Sequence, residues 1–238
     1  MMLTTIADNL ARLHERIAAA AQRAGRSAEE VTLIGVAKTH PAEKIREAFQ
    51  AGLRHFGENR VQEWEGKRTA LADLPATWHL IGHLQSNKAA RAASVFTTID
   101  SLDDWALAQR IDRAAADRSS AEPMRVLLEV HLGGEETKSG VAEGELPSLA
   151  ERILQLDRLR LAGLMCIPPF LEDPEEVRPY FARLRLLRDA LETRLGQRLP
   201  VLSMGMSHDF EAAIQEGATE VRVGTALFGT RSYPQRIQ

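Results

Sequence analysis

One lysine, Lys38, closes the apolar, β-branched run Val31-Thr32-Leu33-Ile34-Gly35-Val36-Ala37 and is followed at once by Thr39-His40-Pro41. A run this rich in Val, Leu and Ile reads as a buried strand, so it carries an ammonium to the mouth of a core. Charging a half-buried amine costs free energy, and a neutral amine avoids that cost. A neutral amine also attacks carbonyl carbons. Lys38 is therefore a candidate Schiff-base lysine; the plain alternative is a lysine that snorkels at a strand end. Only five of the thirty basic residues are lysines, and the other four stand in different surroundings. Lys44 and Lys67 fall in helical patterns among charged neighbours, where a solvated lysine is expected. Lys88 and Lys138 fall in polar, flexible stretches.

A second set of residues offers anion chemistry. Ser207 follows the apolar run at Leu202–Met206, and Gly224-Thr225 follow Glu220-Val221-Arg222-Val223. Glycine lets backbone N–H groups approach an anion, and a helix start adds positive field. The same residues would also serve as ordinary turns and caps. Arg222 alternates with Val221 and Val223, so it lies on the opposite face of its strand. Facing inward it would be a desolvated cation needing an acceptor; facing outward it would be a surface arginine, and periodicity does not choose. No metal motif stands out: there is no His-x-His and no His-Glu-x-x-His, and His79 and His83 straddle a strand and a loop. No Gly-x-Gly-x-x-Gly, Walker lysine or Gly-x-Ser-x-Gly appears. Cys166, on an apolar strand before two prolines, reads as a small core residue.

The elements that must position these groups alternate. Apolar runs suited to strands lie near 31–37, 54–57, 77–81, 95–99, 124–131, 159–166, 200–204 and 220–223. Helical patterns lie near 41–52, 58–71, 86–93, 102–118, 143–155, 174–195 and 209–216, after an amphipathic opening helix built on Ile6, Leu10, Leu13 and Ile17. Asp173-Pro174-Glu175-Glu176 and Gly196 mark the start and stop of one of them. Eight alternating strands predict an α/β fold, a single TIM-type (β/α)8 barrel with an extra N-terminal helix, with a doubly wound open sheet as the alternative. In a barrel the loops after the strands carry function, often with a phosphate site after the last two strands. No linker or composition shift divides 1–238, so one domain is expected.

Bulk properties narrow the class. A net charge of −3 over 238 residues gives no reason to expect nucleic acid or an anionic membrane as partner. A single cysteine suits a reducing compartment, no apolar run approaches membrane-spanning length, and the N-terminus lacks an apolar signal core. A cytoplasmic location is the expectation. No long exposed apolar stripe stands out, so a monomer is expected.

Together the segments resemble a known family. Val36-Ala37-Lys38-Thr39, Phe56 through Glu63, Trp78-His79-Leu80-Ile81-Gly82 and Leu84-Gln85-Ser86-Asn87-Lys88 are similar, in order, to the pyridoxal phosphate homeostasis proteins (the YggS/PROSC group). So are Lys138-Ser139-Gly140, Leu161-Ala162-Gly163-Leu164-Met165, Ser203 through Ser207, and Val221 through Gly229. The resemblance implies a barrel like the N-terminal domain of alanine racemase, with pyridoxal 5'-phosphate (PLP) as cofactor. It implies that Lys38 holds PLP as a Schiff base, that Ser207, Gly224 and Thr225 hold the phosphate, that Arg222 faces the pyridine nitrogen and that Asn59 lines the pocket. Two positions depart from the family: His83 replaces a proline and His208 replaces an acid, which bears on rim charge and on the pH dependence of binding.

The resemblance further implies PLP binding and intracellular vitamin B6 homeostasis without established turnover, with apo-enzymes that use PLP as candidate recipients. An arginine at the pyridine nitrogen stays protonated itself, so it does not convert the ring into a strong electron sink. The chain ends at Gln238, soon after Gly229, and its two tyrosines, Tyr180 and Tyr233, lie outside the motif loops. Two alternatives remain at this point: a PLP-dependent amino-acid racemase using His79 or His208 as second base, and a Schiff-base sugar-phosphate aldolase.

Overall fold

The computed structural model describes residues 5–118, 120, 122–133 and 139–229. Its strands are β1 (Thr32–Val36), β2 (His55–Glu58), β3 (Thr77–Leu80), β4 (Thr98–Leu102), β5 (Met124–Glu129), β6 (Leu159–Met165), β7 (Val201–Met206) and β8 (Glu220–Val223). All pair in parallel and in sequence order, and β1 pairs with β8 to close the ring. A closed parallel barrel has no open edge, which settles the choice against an open sheet. The helices are α1 (Ile6–Arg23), α2 (Ala42–Gln50), α3 (Val61–Arg68), α4 (Ala89–Val95), α5 (Trp105–Ala115), α6 (Leu146–Ile153), α7 (Pro174–Leu195), α8 (Phe210–Gln215) and α9 (Thr225–Phe228).

The extra helix α1 starts at a capping box in which Thr5 and Asp8 exchange hydrogen bonds. It buries Ile6, Leu10, Leu13, Ile17, Ala20 and Ala21, the i, i+3, i+4, i+7 stripe expected of a helix on a core. That stripe packs on α8 and α9, and Asn9 Nδ2 donates to the Leu227 carbonyl at 2.9 Å. The N-terminal helix thus braces the element that follows β8.

Several expected boundaries move, and two of the shifts have a plain physical reason. The strand expected at 95–99 starts at Thr98. Val95 and Phe96 are buried, but as the end and cap of α4. The true strand carries Asp100 and Ser101, both fully buried, and polar residues hide a strand from a reading based on hydrophobicity. The helix expected from residue 58 begins at Val61, because Glu58 still pairs with β3 as the last residue of β2.

The barrel interior explains the buried polar residues. His79 Nδ1 meets Asp100 Oδ2 at 2.7 Å and its Nε2 meets His55 Nδ1 at 3.0 Å. Thr98 Oγ1 donates to Asp100 Oδ1 at 2.8 Å, and Arg125 bonds Glu220 Oε1 at 2.5 Å. The ligand-type atoms of His79, Asp100 and Glu220 lie within 4.8 Å of one another, a grouping that no local motif announced. Arg125 already bonds Glu220 and lies 4.0 Å from Asp100, so its guanidinium balances the two carboxyls. Buried charges persist when paired in this way.

Candidate functional site

The C-terminal ends of the strands surround a cavity of about 350 Å³, within the range of small-molecule sites, about 300–1,000 Å³. Lys38 enters it just past β1, Asn59 just past β2, Ile81 past β3, Ser207 past β7, Arg222 from β8, and Gly224 and Thr225 at the start of α9. All six residues expected to contact a cofactor therefore line one cavity, delivered by four different strands. Ile167 and Phe170, from the segment after β6, complete an apolar wall.

Arg222 faces inward. It is 3 % exposed, and its guanidinium donates to Ser203 Oγ at 2.8 Å and to the Cys166 carbonyl at 2.7 Å. Two of five N–H donors are thus fixed, which orients the plane while the group still lines the cavity. Glu220, two residues earlier on the same face, belongs to the interior network below, so the alternation of β8 places one charged layer above another. The Cys166 thiol is buried, and burial pushes its pKa up to about 12, as suits an inert core residue.

The loop after β7 owes its shape to Gly205. Its φ is +91°, and a Cβ there would come within 2.6 Å of the Ala213 Cβ. Asp209 Oδ1 accepts the Met206 N–H at 2.6 Å and fixes the turn that presents Ser207. Asn59 supplies a different signal: its Oδ1 is buried and has no hydrogen-bond partner, the state of an acceptor that a ligand donor would satisfy. An amine, a guanidinium, a carboxamide, two hydroxyls and a glycine at a helix start form the donor set of a phosphorylated aromatic aldehyde, and they fit PLP.

The remaining expected residues separate. His79 is fully buried in the interior network with both ring nitrogens engaged, and it does not line the cavity. His208 does line it, with Nε2 at 2.8 Å from the Glu172 carbonyl and its ring against Phe170. His83 pairs with Asp103 at 3.3 Å on the rim. Lys88 borders a neighbouring cavity of about 740 Å³, together with Asn59, Arg60 and His83. Lys138 and Tyr233 lie outside the described residues.

Lys67 overturns its expected role. It is not a solvated helix lysine: its side chain is 13 % exposed and its Nζ lies 3.0 Å from Glu58 Oε1, 3.4 Å from Glu63 Oε1 and 3.0 Å from the Ala37 carbonyl. Glu58 is fully buried, and burial pushes its pKa up to about 7 against the pull of Lys67. Sequence showed Glu63 and Lys67 at i, i+4, but that spacing also marks an ordinary surface pair.

Known proteins place this arrangement. Residues 9–232 match the family described as alanine racemase, N-terminal domain. The pyridoxal phosphate homeostasis protein of Aquifex aeolicus is 50% identical over 226 residues, 95% of this chain and 98% of that one. The structure of PipY from Synechococcus elongatus PCC7942 with PLP bound matches with 42% identity and a TM-score of 0.84, over 94% of this chain and 100% of that one. An alanine racemase from Clostridium difficile shares the fold at 18% identity, with a TM-score of 0.72, over 96% of this chain and 58% of the racemase. With a barrel of the same build and half its residues identical to such a relative along almost its whole length, this chain belongs to the pyridoxal phosphate homeostasis protein family.

Proposed function

We propose that this chain binds PLP reversibly through Lys38 and serves PLP homeostasis rather than substrate turnover. The observation that carries this reading is the convergence of Lys38, Asn59, Ser207, Arg222, Gly224 and Thr225 on one cavity. When bound, PLP would supply an aldehyde, and Lys38 is the amine that would hold it reversibly. Ser207, Gly224 and Thr225 lie together across the cavity's β7–β8 side and would hold the phosphate. Arg222, oriented by Ser203 and the Cys166 carbonyl, would face the pyridine nitrogen as a donor. A permanently protonated arginine leaves the ring a poor electron sink, which supports storage over carbanion chemistry.

Two structural facts accord with this role. Among the described residues no helix is long and apolar enough to cross a membrane. His79, one of the two histidines a racemase reading would use, is tied to Asp100 and His55 beneath the cavity. The cytoplasm and apo-enzyme recipients belong to the same proposal.

The purified protein mixed with PLP should turn yellow, and borohydride reduction should fix one pyridoxyl group on Lys38. Lys38→Ala should stay colourless. Trapping on Lys88 or Lys138 in the wild type would refute the assignment of Lys38. Deuterium exchange at the α-carbon of amino acids, faster than with free PLP, would refute storage as the main role.

A further inference from the structure

We propose that Glu63 and Lys67 of α3 are positioning residues for Lys38, clamping the two peptide groups that flank it. The inference rests on the reading of Lys38 as the amine that takes PLP. The chain reverses direction at Ala37–His40, where the His40 N–H donates to the Ala37 carbonyl at 3.1 Å. Lys38 and Thr39 are the two central residues of that turn. Thr39 has φ +65°, the sole non-glycine with positive φ among the described residues.

Positive φ at the third residue is the signature of a type II turn, which wants glycine or asparagine there. Threonine is β-branched, and the left-handed region disfavours it. Type I and type II turns differ by a flip of the central peptide, here the one joining Lys38 to Thr39. The N–H of that peptide is donated to the Glu63 carboxylate. Glu63 therefore selects the flipped peptide, and with it the direction in which Lys38 leaves the backbone.

Lys67 holds the other side. Its ammonium donates to the Ala37 carbonyl at 3.0 Å while balancing Glu58 and Glu63. The platform beneath is rigid. Trp64, next to Glu63, is 2 % exposed, stacks on Trp78 with centroids 3.8 Å apart and donates to the Val95 carbonyl at 2.8 Å. A helix anchored on the barrel wall thus grips the turn that carries the amine, and the strained threonine marks where the grip acts.

The test uses the full chain with and without PLP. Glu63→Ala should bind PLP about tenfold more weakly, the scale set by a left-handed β-branched residue that has lost its restraint. In the apo protein, reductive methylation with formaldehyde should change at Lys38 relative to Lys44 of the same molecule. Glu63→Gln keeps an acceptor oxygen and should stay within about twofold of wild type. The double variant Glu63→Ala/Thr39→Gly should regain most of the lost affinity, because glycine adopts positive φ without penalty.

A folded Glu63→Ala with wild-type PLP affinity and wild-type Lys38 labelling overturns the clamp. So does a deficit that Thr39→Gly leaves untouched, since loss of helix stability alone would not be repaired at residue 39. If the wild type takes no PLP, the function proposed above fails, while the apo labelling ratio still decides the clamp.

Discussion

At the scale of single residues, the unusual group is the Glu58 carboxyl. It is fully buried, its Oε2 has no hydrogen-bond partner, and Lys67 and Glu63 are the titratable groups against it. Burial raises its pKa to about 7, so the folded protein binds this proton more tightly than the unfolded chain does. The sign follows from linkage: the contribution is complete below the ordinary carboxylate pKa and is lost as pH rises through about 7. The shift corresponds to about 3 kcal/mol at most. Glu58→Gln mimics the protonated carboxyl and removes that titration. Relative to the variant, the wild type should lose stability between about pH 5 and pH 8, measured as denaturant midpoints at each pH. Parallel profiles for the two proteins would show that Glu58 is charged throughout.

At the scale of elements, the site depends on helices that never touch it. Leu13 on α1 is 2 % exposed, on the face that packs against α8 and α9. Leu13→Ala should cost about 2–5 kcal/mol in urea unfolding, the range for a buried leucine whose cavity collapses only in part. A change below about 0.5 kcal/mol would place α1 outside the cooperative unit. Legibility in the sequence divides along the same line. Lys38, Ser207, Gly224 and Thr225 were readable because each follows an apolar strand at once, and in a parallel barrel that position is the mouth. The direction of Arg222 was not readable, because alternation fixes opposite faces without naming which is inside. β4 was hard to place because its buried Asp100 and Ser101 find partners on the neighbouring strand and its loop, Asp100 in His79 and Ser101 in the Gly82 carbonyl, both far away in sequence. The grip of Lys67 on Ala37 joins residues thirty positions apart, and the local charge pattern of α3 resembles any solvated helix.

At the scale of the molecule, the buried Cys166 couples the site to global opening. Its thiol is inaccessible and held protonated by burial, while its backbone carbonyl accepts from Arg222. A thiol reagent reaches it only when the barrel opens, because the thiolate is the reactive form and the native pocket supplies none. A ligand that binds only the closed barrel lowers the open population by the factor 1 + [L]/Kd. Modification of Cys166 by an aromatic disulfide reagent should therefore be slow in the native protein. At PLP one hundred times above Kd it should slow by about a further hundredfold. In Lys38→Ala, which lacks the proposed covalent anchor, the same PLP concentration should protect far less. Rapid modification of the native wild type would mean that the β6–β7 side opens locally. Equal protection of both proteins would mean that contacts other than a bond to Lys38 dominate retention.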